Sequence, residues 1–162
     1  MPYIEPKIYY QNLPQKRMAV AALIFNEQGQ ILILKPSYKK YWILPGGVVE
    51  KDESLAVALT REIKEEIDLD ITNFKLAALD YCAPSLRNGV QNTESLQILF
   101  DCGAIDSITE ALIIVDGDEI IEYKFCDVEE TLKLLSKPLR KRVGSYLDGR
   151  ETVYLENGLK TC

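Results

Sequence analysis

Residues 50–70 hold eight acids (Glu50, Asp52, Glu53, Glu62, Glu65, Glu66, Asp68 and Asp70) and three bases (Lys51, Arg61 and Lys64). Their sum is −5, out of the −6 that 19 basic and 25 acidic side chains give the whole chain of 162 residues. Glu62, Glu65 and Glu66 stand at i, i+3 and i+4, within an arc of about 100° on a helix. Like charges at that spacing cost a few tenths of a kcal/mol per pair even when exposed, and more beside a core. Two arrangements answer that cost. One is a wet acidic face. The other is a hard divalent cation, Mg²⁺ or Mn²⁺, which prefers carboxylate oxygens and keeps positions open for substrate phosphates.

The chain contains no histidine. Ser-His-Asp and Cys-His nucleophiles, His-ligated zinc and imidazole acid/base chemistry are therefore excluded, leaving carboxylates, Lys, Tyr, Cys or a bound metal. A net acidic chain lacks the clustered positive field that grips long nucleic acid, whereas a small phosphorylated molecule is acceptable if a cation intervenes. Cys82, Cys102, Cys126 and Cys162 are widely spaced with no C-x-x-C pair, which predicts free thiols in a reducing compartment. The longest apolar run, residues 18–25, is far below a bilayer span, and no signal-peptide pattern opens the chain. A cytoplasmic protein with no membrane association is the expectation.

Positioning these acids requires a helix and a sheet behind it. Residues 16–25 and 30–35 read as a β-hairpin about the turn at 26–29. Residues 36–41 form a basic, aromatic loop, and 42–47 a short strand ending in a Pro-Gly-Gly turn. From 54 to 67 the period changes, with Ala56, Leu59, Ile63 and Ile67 within an arc of about 80°, which predicts an amphipathic helix. Three further strands are expected at 71–81, 94–102 and 119–128, then helices at 129–135 and 138–147 and a final strand at 151–155. The basic residues of 133–142 read as the wet face of those last helices. The order predicts one α/β domain over residues 1–162 with a mixed β-sheet.

The spacing Gly47, five residues, Glu53, seven residues, then Arg61-Glu62-Ile63-Lys64-Glu65-Glu66-Ile67-Asp68-Leu69 resembles the Nudix box, matching eight of its nine specified positions. Leu44-Pro45-Gly46 and Glu50 agree with its extended form. The resemblance implies the Nudix fold, an α/β/α sandwich, and hydrolysis of a nucleoside diphosphate linked to a further group by water activated on Mg²⁺ (or Mn²⁺). It implies Glu62, Glu65 and Glu66 as metal ligands with the Gly46 carbonyl as a further oxygen. Glu53 would orient water or add a ligand, and Arg61 would hold the carboxylates. Asp68 departs from the pattern, which has glycine where a helix C-terminus wants a left-handed residue.

For the general base the resemblance leaves Glu65 in the box, or Glu119 and Glu122 in the pattern at 119–125, with Asp116 and Asp118 within reach and Glu119 preferred to Glu122. Lys35, Lys39, Tyr41 and Arg87 are the substrate-binding candidates, with Lys40 a further cation and Tyr38, Trp42 and Tyr81 as stacking aromatics. The partner implied is a small nucleotide: a nucleoside triphosphate, ADP-ribose or a nucleotide sugar. A homodimer is compatible with the family. A non-catalytic nucleotide sensor on the same fold is the alternative, weakened by the intact carboxylates, and prenyl-diphosphate isomerase chemistry lacks its cysteine loop here.

Overall fold

The computed structural model describes residues 5–87 and 89–161, without the side chains of Arg87 and Val90. Its elements are α1 (Pro6–Gln11), β1 (Arg17–Phe25), β2 (Ile31–Pro36), α2 (Leu55–Ile67), β3 (Lys75–Cys82), β4 (Ser85–Arg87), β5 (Val90–Asn92), β6 (Ser95–Ala104), α3 (Ser107–Glu110), β7 (Ile120–Cys126), α4 (Val128–Leu134), α5 (Lys137–Leu147), β8 (Val153–Glu156) and β9 (Leu159–Lys160). Seven strands form one mixed sheet in the order β7-β2-β1-β6-β3-β8-β9, with β1–β6 and β3–β8 parallel. β4 and β5 make a separate hairpin.

Strand alternation divides the interior into two layers. Val20, Ala22 and Ile24 of β1 and Leu32 and Leu34 of β2 pack with Leu59, Ile63 and Ile67 of α2. The intervening Leu23, Phe25, Ile31 and Ile33 pack with Leu135, Val143 and Tyr146 on the side of α4 and α5. The result is the expected α/β/α sandwich.

The β1–β2 hairpin departs from a plain ladder. The strands pair only near their turn, at Phe25 and Ile31, and then splay. Residues 42–49 fill the wedge. The amides of Ala22 and Val20 donate to the carbonyls of Pro45 and Gly47 at 2.7 and 2.9 Å, and Val49 donates to Met18 at 3.0 Å. On the other flank Leu34 and Ile43 exchange both backbone hydrogen bonds, at 2.8 and 2.9 Å. The short strand expected at 42–47 is thus reduced to single bridges at Trp42, Ile43 and Val48. Pro45 has no amide to offer a ladder, and Gly46 sits at φ 138°, outside strand geometry.

Helix α2 begins where expected, with Ser54 Oγ accepting from the Val57 amide at 3.2 Å. Its buried stripe is rotated from the expected one: Ala56 is exposed and Ala58 is buried. Because Glu62 and Glu66 lie between Ala58 and Leu59 on the wheel, the rotation carries both carboxylates into the apolar face. The helix also ends on schedule. Asp68 adopts the left-handed conformation, φ 56° and ψ 25°, and its amide donates to the Lys64 carbonyl. Lys64 Nζ offsets its charge, lying 2.8 Å from Asp68 Oδ1 and 3.0 Å from Asp70 Oδ2.

The strand expected from 71 starts at Lys75, because Leu69 and Ile71 are spent as core plugs below α2. Helices α1 and α3 and the β4–β5 hairpin carry no strong periodicity and were not expected. The basic stretch 133–142 is wet only in part. Arg142 Nε donates to Asp80 Oδ2 at 2.9 Å, with the Asp80 side chain 1% and the Arg142 side chain 11% exposed. Gly158 donates to the other Asp80 oxygen at 3.0 Å, which ties the β8–β9 turn to β3 and α5. Removing one partner of such a pair strands the other charge. Arg142→Met is expected to lower unfolding free energy by about 3 kcal/mol in urea denaturation, whereas Lys137→Met, at an exposed position, leaves the midpoint unchanged. Cys82, Cys102 and Cys126 are free thiols, and Cys162 lies outside the described residues. Among the described residues no helix is long and apolar enough to cross a membrane.

Candidate active site

The glycine turn and the acidic helix meet through two contacts. The Gly46 amide donates to Glu66 Oε2 at 2.7 Å, and the Glu62 carboxylate lies directly against Gly47. A methyl group on Gly47 would approach the Glu62 carboxylate oxygens to 2.4–2.6 Å, and one on Gly46 would come within 2.2 Å of the Val20 carbonyl oxygen. The two glycines therefore let sheet backbone and carboxylates share one narrow space.

Arg61 gathers the other acids. Its Nε donates to Glu53 Oε1 at 2.9 Å and its Nη2 to Glu53 Oε2 at 3.0 Å, while Nη1 donates to Glu62 Oε1 at 2.9 Å and Glu65 Oε2 at 3.1 Å. The bidentate pairing, with the Glu50 amide on Glu53 Oε2 at 2.9 Å, holds the Glu53 carboxyl below its usual range. The same acids hold the guanidinium firmly protonated.

Glu62 and Glu66 behave in the opposite way. Burial raises the Glu62 carboxyl, although Arg61 opposes the rise. Glu66 is only 5% exposed, and burial pushes its carboxyl up to about 8; the Gly46 amide opposes this, while the charges of Glu62, Glu119 and Asp116 add to it. Glu66 is thus held in a dry, crowded place among like charges, while Glu62 shares the Arg61 guanidinium with Glu53 and Glu65.

Glu119 faces this pair from the loop before β7. The Asp116 side chain shapes that loop by accepting the amides of Asp118, Glu119 and Ile120 at 2.7, 2.8 and 3.1 Å. Tyr38 donates to Glu119 Oε1 at 2.7 Å, and its phenol is pushed up to about 12 by partial desolvation and by Glu119. Glu122 is placed elsewhere. β7 carries a bulge at Ile121, between the pairs Pro36–Ile120 and Lys35–Glu122. Ile120 therefore enters the core under α2, while Glu122 lies on the same strand face as Cys126, toward α4 and α5. The structure brings together Gly46, Glu53, Arg61, Glu62, Glu65, Glu66 and Glu119, and sets Glu122 apart.

The candidate substrate-binding residues divide similarly. Lys35 is on the Glu122 face, and its Nζ closes the loop 36–41 by donating to the carbonyls of Lys39 and Lys40 at 3.2 and 2.9 Å. Lys39 Nζ donates to the Tyr38 hydroxyl at 3.1 Å. Tyr41 is exposed, Trp42 packs in the layer of α4 and α5, and Tyr81 donates to Glu94 at 2.8 Å. The Arg87 side chain lies outside the described residues. The contact that sequence reading missed is the Tyr38–Glu119 bond: Tyr38 reads as one of several loop aromatics, and its partner is 81 positions away.

Among the described residues no three Asp, Glu or Cys side chains converge on a common metal-binding point, because the carboxylates close on Arg61 and on Gly46. Their chemistry nevertheless fits a hard divalent cation. One oxygen each of Glu62, Glu65 and Glu66 is engaged by Arg61 or Gly46, and the buried Glu66 beside the half-buried Glu62 carries a charge cost that a cation would relieve.

Comparisons with known proteins agree with this fold. The family model of the NUDIX domain matches residues 15–147. A putative 8-oxo-dGTP diphosphatase of Bacillus subtilis (strain 168) is 30% identical over 132 residues, which is 81% of this chain and 80% of that protein. A MutT-like protein of Streptomyces ambofaciens is 28% identical over 121 residues, 67% of this chain and 77% of the other. The crystal structure of the MutT protein of Methanosarcina mazei Go1 superposes with a TM-score of 0.68 at 26% identity, covering 86% of this chain and 99% of that one. With the glycine turn, the acidic helix and the mixed-sheet sandwich all in place, the chain belongs to the Nudix hydrolases, enzymes that act on pyrophosphate bonds.

Proposed function

We propose that this enzyme hydrolyses a phosphoanhydride bond of a nucleoside triphosphate, oxidised forms included, with Mg²⁺ as its cofactor. The observation that carries the reading is the buried Glu66 carboxyl on the Gly46 amide beside Glu62, a desolvation cost that this single hydrogen bond only partly offsets. The triphosphate is favoured over ADP-ribose and nucleotide sugars by the name of the Bacillus subtilis relative. A cytoplasmic setting, a free small-molecule substrate and a single domain over residues 1–162 complete the proposal.

In this reading Glu62, Glu65 and Glu66 hold Mg²⁺ with the Gly46 carbonyl; the ion, when bound, neutralises diphosphate oxygens and lowers the pKa of a water. Arg61 keeps Glu53, Glu62 and Glu65 in one cluster, so that their mutual repulsion is met before substrate arrives. Glu119 is the general base, held by Tyr38 within electrostatic reach of Glu62 and Glu66. Lys39 and Tyr41 on the loop 36–41, and Arg87 at the end of β4, are the residues assigned to nucleotide contact in this reading.

A panel of dGTP, 8-oxo-dGTP, ADP-ribose and a UDP-sugar, assayed for nucleoside monophosphate with Mg²⁺, tests this. The expected result is turnover of at least one triphosphate ahead of ADP-ribose, lost in Glu65→Gln and Glu66→Gln. Equal turnover in both variants would remove the ligand assignment. Tight nucleotide binding without turnover at any Mg²⁺ concentration would favour the sensor.

A further inference from the structure

We propose that Tyr38 is a positioning residue for Glu119, with Lys39 setting the direction of its hydroxyl proton; this rests on Glu119 being the general base. A lysine ammonium only donates. Since Lys39 Nζ lies 3.1 Å from the Tyr38 oxygen and 4.6 Å above its ring, the phenol oxygen accepts from Lys39 and its single proton goes to Glu119 Oε1, 2.7 Å away. Such a chain polarises each bond in it.

The surroundings fix both ends. The Ser37 amide donates to the Glu119 carbonyl at 2.9 Å, which stitches the loop 36–41 to the strand start beside the bulge. Lys35 closes the same loop from behind through the carbonyls of Lys39 and Lys40. The Asp116 turn fixes the Glu119 backbone, leaving its side-chain torsions as the freedom that remains. Tyr38 removes that freedom. A carboxylate on a loop, facing two like-charged carboxyls, would otherwise swing toward solvent. The phenol holds it over the site without contributing a competing charge.

The test is a kinetic cycle on the best-turned-over of dGTP, 8-oxo-dGTP and ADP-ribose with Mg²⁺. Tyr38→Phe is expected to lower kcat about tenfold with KM within about twofold, and Glu119→Gln to lower kcat at least about a hundredfold. The double variant should be no slower than Glu119→Gln, because Tyr38 acts through that carboxylate. Additive losses, or a raised KM with unchanged kcat in Tyr38→Phe, would overturn the proposal. An unchanged kcat in Glu119→Gln alongside a dead Glu66→Gln would also overturn it, with the hydrolase reading left standing. Absence of turnover in the wild type would instead remove the hydrolase reading.

A second measurement is independent of activity. In metal-free protein labelled with ¹³Cζ-tyrosine at neutral pH, the resonance missing from Tyr38→Phe is that of Tyr38. It should move in both Glu119→Gln and Lys39→Met. A resonance that stays in place in Glu119→Gln would overturn the bond itself. Tyr38 is 59% exposed, so its truncation leaves the core intact.

Discussion

Replacing Glu66 by glutamine will produce a protein that, without metal, is more stable than the wild type at pH 8.5 and yet fails to turn over nucleotide. The first half follows from linkage. An acid whose folded pKa is raised from 4.5 to about 8 binds its proton in the native state over a range where the unfolded chain has lost it. Metal-free wild type must therefore lose stability as pH rises from about 5 toward 8, with a limiting slope of roughly 1.4 kcal/mol per pH unit. The raised Glu62 carboxyl adds in the same direction. Glutamine copies the neutral acid in shape and still offers an oxygen to the Gly46 amide, so thermal scans of Glu66→Gln at pH 6 and pH 8.5 should lack most of this slope. The second half follows from charge. An uncharged amide is a poor ligand for a hard cation, and kcat/KM with Mg²⁺ should fall by about 10³ or more. Wild-type turnover in this variant would remove Glu66 from the metal site; an undiminished pH slope would show that Glu66 is not the group that titrates there.

The second large effect separates two neighbouring glycines. Gly46→Ala sets a methyl group 2.2 Å from the Val20 carbonyl oxygen and 2.8 Å from the Ala21 Cα, on a backbone at φ 138°. Both obstacles are sheet backbone, so the strand itself must move. The expected loss is about 4 kcal/mol or more, a drop of order 10 °C in Tm. For Gly47→Ala the three nearest atoms all belong to the Glu62 carboxylate, at 2.4–2.6 Å, and a side chain can rotate away. This variant should keep its Tm to within a few degrees but lose most of its Mg²⁺-dependent activity, because Glu62 is driven out of the cluster. Calorimetry and the nucleotide assay on the same two preparations distinguish the cases. If both variants melt together, the division between backbone and carboxylate contact is wrong.

Much of the architecture was legible because its signals are local. The helix at 55–67 announces itself through its period and its Ser54 cap, and the hairpin through Asn26 and Gly29 at the turn. The box residues are spaced along one helix and one turn, so sequence distance stands for spatial distance, and these residues do come together. What was not legible depends on long-range geometry. Ala56 and Ala58 are chemically identical, and only the tilt of α2 on the sheet decides which is buried, and with it how deeply Glu66 lies. The choice between Glu119 and Glu122 turns on a bulge at Ile121, a single extra residue in an isoleucine pair that reads equally well as regular strand. Lys35 looks like a phosphate ligand by charge alone, and only the path of the loop 36–41 shows its ammonium held by two carbonyls. Arg142 likewise sits in a basic run that reads as solvated, until β3 brings Asp80 beneath it.

The splayed hairpin gives the glycine segment an unusual standing among loops. Residues 42–49 borrow hydrogen bonds from β1 on one flank and β2 on the other, in the middle of a seven-stranded sheet. Loops ordinarily open by sub-global fluctuations of small free energy, whereas backbone laddered into central strands opens with the global transition. The segment that cradles Glu62 and Glu66 thus shares the cooperative unit of the core, while α1, with no buried residue, frays alone. Loss of the segment's order and loss of the fold become a single event.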